Sequence, residues 1–273
     1  ELGVVFFSTH IPSLTGGWAC VTIFHSFHYL CRMLHKTKGI VLHSLNYNDQ
    51  YRIVHIYTEE FGRVAYLVSK SRGKKTSVSS SLFHPFAVLE LEVDHQHLRE
   101  IQRIREARPM IVPVSISFDP VKMPVVMFLS EFMYRVVKDI QPNELLFDFV
   151  SRSIAVFDLL EIGIANFHLV FMIKLSRFLG FYPNDEGYRP GMFFDMQHGS
   201  FVSRPPGHPF FLSSDDSKIF LLLLRMNYEN MHVYAFSRHD RIRIVQRILD
   251  YYKVHFATLT ELKSLEVLQA LFD

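Results

Sequence analysis

The apolar period of this chain changes once, from two residues to about 3.6, somewhere between residues 94 and 125. Before the change, short apolar alternations are punctuated by turn residues. After it, apolar residues recur on helical stripes. A β half followed by an α half argues for an α+β chain rather than an alternating parallel α/β fold.

In the first half, Gly39–Leu45, Tyr51–Thr58 and Arg63–Ser69 read as strands, with Glu59-Glu60-Phe61-Gly62 as a hairpin turn. On the third, Val64, Tyr66 and Val68 share one face, with Ala65 and Leu67 on the other. Lys70–Ser81 reads as a loop and Phe83–Val93 as a final strand region. Four or five short strands in so small a span predict a small closed β-barrel.

In the second half, Val125–Lys138, Asn143–Leu160 and Asn166–Leu179 read as helices, the last ended by Gly180 and Pro183. The stripe of the second places Leu145, Leu146, Phe149, Val150, Ile154, Phe157 and Leu160 inward. Residues 181–217 read as mostly loop, Lys218–Tyr228 as a helix or buried segment, Ser237 as the cap of a helix reaching Tyr252, and Ala257–Phe272 as a last helix.

The first 32 residues differ from the rest. They hold one acid, Glu1, one base, Arg32, six aromatics and both cysteines, Cys20 and Cys31. The composition shift just before Met33 predicts an extension to a domain that starts there; an N-terminal helix with an apolar face is the alternative. Without cysteines beyond residue 31, a disulfide framework or a four-cysteine zinc site is excluded from the remainder. No run reaches the ~18 apolar residues of a membrane-spanning helix.

Overall charge is nearly balanced, at +2 over 273 residues, so placement matters more than total. No acid occurs between Glu60 and Glu90, a window carrying Arg63, Lys70, Arg72, Lys74 and Lys75. Its centre, Ser69–Ser77, is a basic, hydroxyl-rich loop. Lys and Arg neutralise phosphates while Ser and Thr donate to phosphate oxygens. A loop at the mouth of a barrel is where such barrels grip single strands. Lys38 and Arg52, on neighbouring strands, complete the candidate DNA-binding set. Tyr47, Tyr51, Tyr57 and Tyr66 are candidate stacking platforms for bases, and a solvated surface is the plainer reading of the loop. Two further basic sets, Arg99, Arg103, Arg105 and Arg108, and Arg238, Arg241, Arg243 and Arg247, read as solvated helix faces that extend a nucleic-acid track if they face the loop.

Enzyme motifs are missing where they are easiest to see: there is no GxxxxGK[ST], HExxH, GxSxG or strand-linked GxGxxG. His95-Gln96-His97 reads as a strand-to-helix connection. Asp195, His198 and His208 lie too far apart in sequence to predict a site.

Thr37-Lys38-Gly39-Ile40-Val41-Leu42, Tyr51-Arg52-Ile53-Val54, Tyr57–Arg63 and the Ser69–Lys75 loop resemble the N-terminal domain of the bacterial RecO family of DNA-repair proteins. Leu175–Pro183, ending in Leu-Gly-aromatic-x-Pro, and Lys263-Ser264-Leu265 resemble later segments of that family, in the same order. The resemblance implies an OB-fold over 33–112, a helical domain over 113–273 with a loop-rich insertion at about 181–217, and no counterpart for 1–32. Many members carry a zinc module on four cysteines after the aromatic-x-Pro signature. The equivalent segment here, about Asn184–Pro206, has none, so no zinc and no other cofactor is expected; Met192-Phe193-Phe194-Asp195 with Gly199 keeps only the module's hairpin-like frame, and packing by Phe193, Phe194 and Phe201 takes the place of the metal. The implied function is a non-catalytic recombination mediator of the cytoplasm and nucleoid. It binds single- and double-stranded DNA, anneals strands, and with RecR helps load RecA onto DNA coated by the single-strand-binding protein SSB. It also binds the C-terminal tail of SSB and has no membrane role. Two alternatives stand beside it: an adaptor for SSB and RecR without its own DNA binding, and a metal-dependent nuclease using Asp195, His198 or His208.

Overall fold

The computed structural model describes residues 34–70, 78–96, 98–138, 140–256, 259 and 261–270. All lie in one compact unit, Met33–Asp273. The expected N-terminal extension, and Arg72, Lys74, Lys75 and His97, lie outside the described residues.

Five strands close the barrel: β1 (Leu34–Asn46), β2 (Tyr51–Thr58), β3 (Gly62–Ser69), β4 (Val88–Asp94) and β5 (Ile101–Pro109). Their order is β1-β2-β3-β5-β4, and β4 pairs back to β1. All neighbours are antiparallel except β3 and β5. This is the five-stranded arrangement of an OB-fold. Its inside is filled by alternate residues, among them Val41, Val54, Ile56, Val64, Tyr66, Leu89, Leu91 and Val93. Gly39 belongs to this layer. A Cβ there would come within 2.6 Å of Ile56 and 2.7 Å of Leu91, so the closed barrel has room only for hydrogen.

The β1 run Ile40-Val41-Leu42 is apolar without alternation because both its faces are covered. Val41 points into the barrel, whereas Ile40 and Leu42, with Tyr57, Phe86 and Val88, pack against the helices. Phe86 takes a left-handed φ of 59°, unfavourable for an aromatic residue, and lies 6.1 Å from Phe171 of the helical core.

The helical half comprises α1 (Lys122–Val136), α2 (Glu144–Leu159), α3 (Phe167–Phe178), α4 (Ser214–Arg225), α5 (Arg238–His255) and α6 (Ser264–Ala270). Sequence signals account for several boundaries. Asn143 caps α2 by accepting from the Leu146 amide, and Ser237 forms a reciprocal capping box with Asp240. Ser264 of the Lys-Ser segment is clasped at the start of α6, where its amide and hydroxyl both donate to Glu131 of α1.

Several expectations need correction. The Arg99–Arg108 set is not a helix face: Arg103, Arg105 and Arg108 lie on β5, where the charged run hid a strand. The segment around His95 accordingly joins two strands. Leu145 is 69% exposed; the inward residues at that point are Leu146 and Phe147. Residues 181–217 are mostly loop, but the hairpin expected around Met192–Gly199 gains a third strand. They hold a three-stranded sheet, β6 (Phe193–Asp195), β7 (Ser200–Val202) and β8 (Phe211–Leu212), with β6 in the middle. Phe194 and Phe201 are buried there, their rings 5.1 Å apart, and Phe193 is half-buried. Asp195, His198 and His208 are also not scattered, because the sheet brings their donor atoms within 4.8 Å of one another. Among the described residues no helix is long and apolar enough to cross a membrane.

The link between the two halves is held by a single carboxylate. Asp158, near the end of α2, accepts from the amides of Val114, Ser115 and Ile116 at 2.6–2.8 Å. Lys122 donates to the Asp158 carbonyl at 2.8 Å and to the Ser115 hydroxyl at 2.7 Å. Burial works to raise the Asp158 carboxyl, but these hydrogen bonds outweigh it and hold it below the ordinary carboxylate range.

Candidate nucleic-acid interface

Cross-strand register defines one outer face of the barrel. Leu45 faces Ile53, Ile53 faces Leu67, and Leu67 faces Arg103, a row across four strands. The next row pairs Tyr51 with Ser69. None of these side chains is buried, and Leu45 and Arg103 are exposed. This β2–β3 surface is the one on which OB-folds bind oligonucleotides.

The β1–β2 turn lies beyond one end of the face. Tyr47 is 59% exposed and Tyr51 36% exposed. Asn48 organises the turn by accepting from the amides of Gln50 and Tyr51. Its carbonyl accepts from Lys70 Nζ at 2.7 Å, and the Lys70 amide donates to the Gln50 carbonyl. The chain therefore leaves β3 beside this turn, and the basic segment that carries Arg72, Lys74 and Lys75 starts there. The β4–β5 connection, with exposed Leu98 and Arg99, lies beyond the other end.

The structure distinguishes among the candidate residues. Tyr57 and Tyr66 are fully buried, so they are core residues and not stacking platforms; burial pushes the Tyr57 hydroxyl up to about 12. Period-two alternation had already put Tyr66 with Val64 and Val68, and its burial follows from that face. Lys38 pairs with Glu59 at 2.9 Å. It borders a cavity of about 430 Å³ where Glu59, Glu90, Glu92 and Glu106 outnumber Lys36, Lys38 and Arg108, a poor setting for a phosphate. Arg52 donates to the Ser80 carbonyl and stands 5.7 Å over the Phe83 ring. Arg63 donates to the Tyr134 carbonyl at 2.8 Å and lies 4.6 Å over that ring, tying β3 to α1. Among the described members of the set, Lys70 is the one at the exposed turn.

The basic residues of α5 are internal clasps. Arg243 and Arg247 bind Asp216 of α4 at 2.6 and 3.0 Å, and Arg241 donates to the Phe236 carbonyl. On β5, Arg105 pairs with Asp94 and Arg108 with Glu106. Arg103, expected on a helix face, instead joins the outer face of the barrel on β5.

Two family descriptions cover nearly all of this unit: "Recombination protein O N terminal" matches residues 33–110 and "Recombination protein O C terminal" residues 117–266. The chain belongs to the RecO family. A protein named DNA repair protein RecO from Azobacteroides pseudotrichonymphae is 49% identical over 241 residues, 88% of this chain and 100% of that one. RecO proteins of the same name from Phocaeicola vulgatus and Porphyromonas gingivalis are 45% and 33% identical, each over 88% of this chain and 100% of their own. The thiolate zinc module expected of many RecO proteins does not fit here, since neither cysteine lies beyond residue 31.

A histidine pair lies where this RecO barrel meets α1. His43 stacks on Tyr134 at 4.8 Å, and His55 lies tilted against the same ring at 4.9 Å. Burial, then the charges of Arg63 and His43, push His55 down to about 4, and burial lowers His43 as well. Burial also brings His168, in the helical core, down to about 3. Unfolded imidazoles take up protons near pH 6.5, which the folded chain resists. The unfolded state then binds more protons, so stability falls as pH drops from about 6.5 toward 4. Urea unfolding at pH 7 and pH 5 is expected to show this loss, and His55→Gln to make it smaller. An equal loss in the variant would show that His55 is not one of its sources.

Proposed function

We propose that this RecO-family chain is a non-catalytic, DNA-binding recombination mediator. The observation that carries the reading is the β2–β3 face, with Tyr47, Tyr51 and Lys70 at the mouth from which the basic Arg72–Lys75 segment departs. A single strand crossing this face finds apolar and aromatic surface for its bases in Leu45, Ile53, Leu67 and Tyr51. It finds cations for its phosphates in Lys70, Arg72, Lys74, Lys75 and Arg103. Neutralising two phosphate backbones at one surface lowers their mutual repulsion, which is what annealing complementary strands requires. Neither step consumes a nucleotide, in keeping with a sequence without a P-loop. The family supports RecR, the C-terminal tail of SSB and, indirectly, RecA as partners, and a place in the cytoplasm near the nucleoid. Lys38, Arg52 and Arg63 support the barrel wall in this reading.

The test is annealing of two complementary oligonucleotides, bare and coated with SSB, by the purified chain. Acceleration of both reactions is expected. Binding of the SSB tail with no effect on bare strands would favour the adaptor reading instead. Tyr47→Ala and Tyr51→Ala are each expected to weaken single-strand binding by about 1–3 kcal/mol if a base stacks there, read by fluorescence anisotropy. Unchanged affinity in both would remove stacking from the account.

A further inference from the structure

The small sheet β7-β6-β8 gathers three side chains that the DNA-binding reading does not use. Asp195 ends the central strand β6, His198 sits in the β6–β7 turn, and His208 lies in the segment leading to β8. Asp195 is buried, and its two oxygens have separate tasks. Oδ1 accepts from the backbone amides of Gln197 and His198, which fixes the carboxylate. Oδ2 faces the two imidazoles, 2.8 Å from His198 Nδ1 and 3.4 Å from His208 Nε2.

His208 Nε2 is buried and makes no hydrogen bond, although Asp195 Oδ2 lies within reach. His198 Nδ1 hydrogen-bonds Asp195 Oδ2, and His208 Nδ1 accepts from the Phe210 amide, so His208 Nε2 is left facing the carboxylate without a bond of its own. Donors around a tetrahedral zinc ion, at 2.0–2.2 Å from the metal, stand about 3.3 Å apart. All three donor atoms here lie within 4.8 Å of one another. His198 is 74% exposed on its side chain, which leaves a further coordination position open to water.

We propose that Asp195 Oδ2, His198 Nδ1 and His208 Nε2 bind one divalent transition-metal ion, with zinc the best match, and that the ion staples the β6–β7 turn to the β7–β8 connection. Two imidazoles and one carboxylate suit zinc and its neighbours better than calcium or magnesium, which take oxygen ligands. The ligands share no residue type with a thiolate module, so the lack of cysteines does not bear on them. Binding shifts the His208 proton to Nδ1, where the weak 3.3 Å contact from the Phe210 amide must give way. The amides of Gln197 and His198 supply the outer contacts that hold the carboxylate in place. The assignment is independent of DNA binding.

The untagged full chain, stripped with a chelator, is titrated with Zn²⁺ by calorimetry and with Co²⁺ by visible absorption. One equivalent per chain is expected, at micromolar affinity or tighter, with the absorption of cobalt in a tetrahedral field and a rise in the melting temperature. His198→Gln, on an exposed side chain, and Asp195→Asn, which keeps the backbone contacts, are each expected to weaken binding at least tenfold and abolish the stabilisation. Cys20→Ser/Cys31→Ser is expected to leave binding intact. Saturation only at millimolar metal, or equally tight binding by the His198 and Asp195 variants, would overturn the assignment.

Discussion

Asp158→Ala is expected to destabilise the chain by about 3–5 kcal/mol. The substitution strands three backbone amides, of Val114, Ser115 and Ile116, which now donate to one buried carboxylate. Ser115 is also the hydroxyl to which Lys122 donates, and the Lys122 ammonium is itself buried. Loss of the clasp therefore disturbs the chain where it passes from barrel to helices. For a unit of this size the cost corresponds to a fall in melting temperature of roughly 10 °C. The folded carboxyl is held below its unfolded value, so its contribution is complete above about pH 4 and is lost as pH falls through the folded value. The difference between wild type and variant should accordingly shrink in acid. A variant that melts within a degree or two of wild type at pH 7 would mean that the linker is held by other contacts.

The second large effect concerns DNA. Replacing Lys70, Arg72, Lys74 and Lys75 together by Gln is expected to weaken single-strand binding at least a hundredfold at low salt. It should also flatten the dependence of log affinity on log salt by roughly 3, since each phosphate contact on a single strand contributes about 0.7 to the slope. Lys38→Gln and Arg52→Gln serve as contrasts. Lys38 stands among carboxylates and Arg52 faces the Ser80 carbonyl, so neither change should move the slope appreciably. A larger loss at Lys38 than in the quadruple variant would shift the interface to the β1–β4 side.

The sequence made the barrel legible because β1 and β2 are rich in β-branched and aromatic residues, β3 keeps its period-two alternation, and the β2–β3 turn carries its Gly62 signal. The one barrel strand it concealed was β5. Arg103, Arg105, Glu106 and Arg108 make that strand look solvated, and only Gln102 and Ala107 face inward as buried residues. Leu145 was misplaced because two adjacent leucines fit one helical stripe equally well, and the Asn143 cap sets the phase that buries Leu146. Tyr57 looked available for stacking because residue type alone carries no information about which side of a closed barrel is inside; for Tyr66 the alternation with Val64 and Val68 did carry it. Asp195, His198 and His208 stood out in the sequence as single residues but not as a cluster. Their convergence depends on β6 also pairing with β8, beyond the local β6–β7 hairpin, and no local pattern encodes that pairing. Charge placement was the reverse case: an acid-free window is a property of the sequence itself, and the fold adds that this window leaves β3 beside the exposed Tyr47 turn.

Salt-titrated fluorescence anisotropy of a labelled single strand shows directly whether phosphate contacts drive binding to the barrel. Tight binding at low salt is expected, with a steep linear loss of log affinity as salt rises and a slope that reports several phosphate contacts. A folded chain that fails to bind at low salt, or binds with an affinity indifferent to salt, would contradict that expectation.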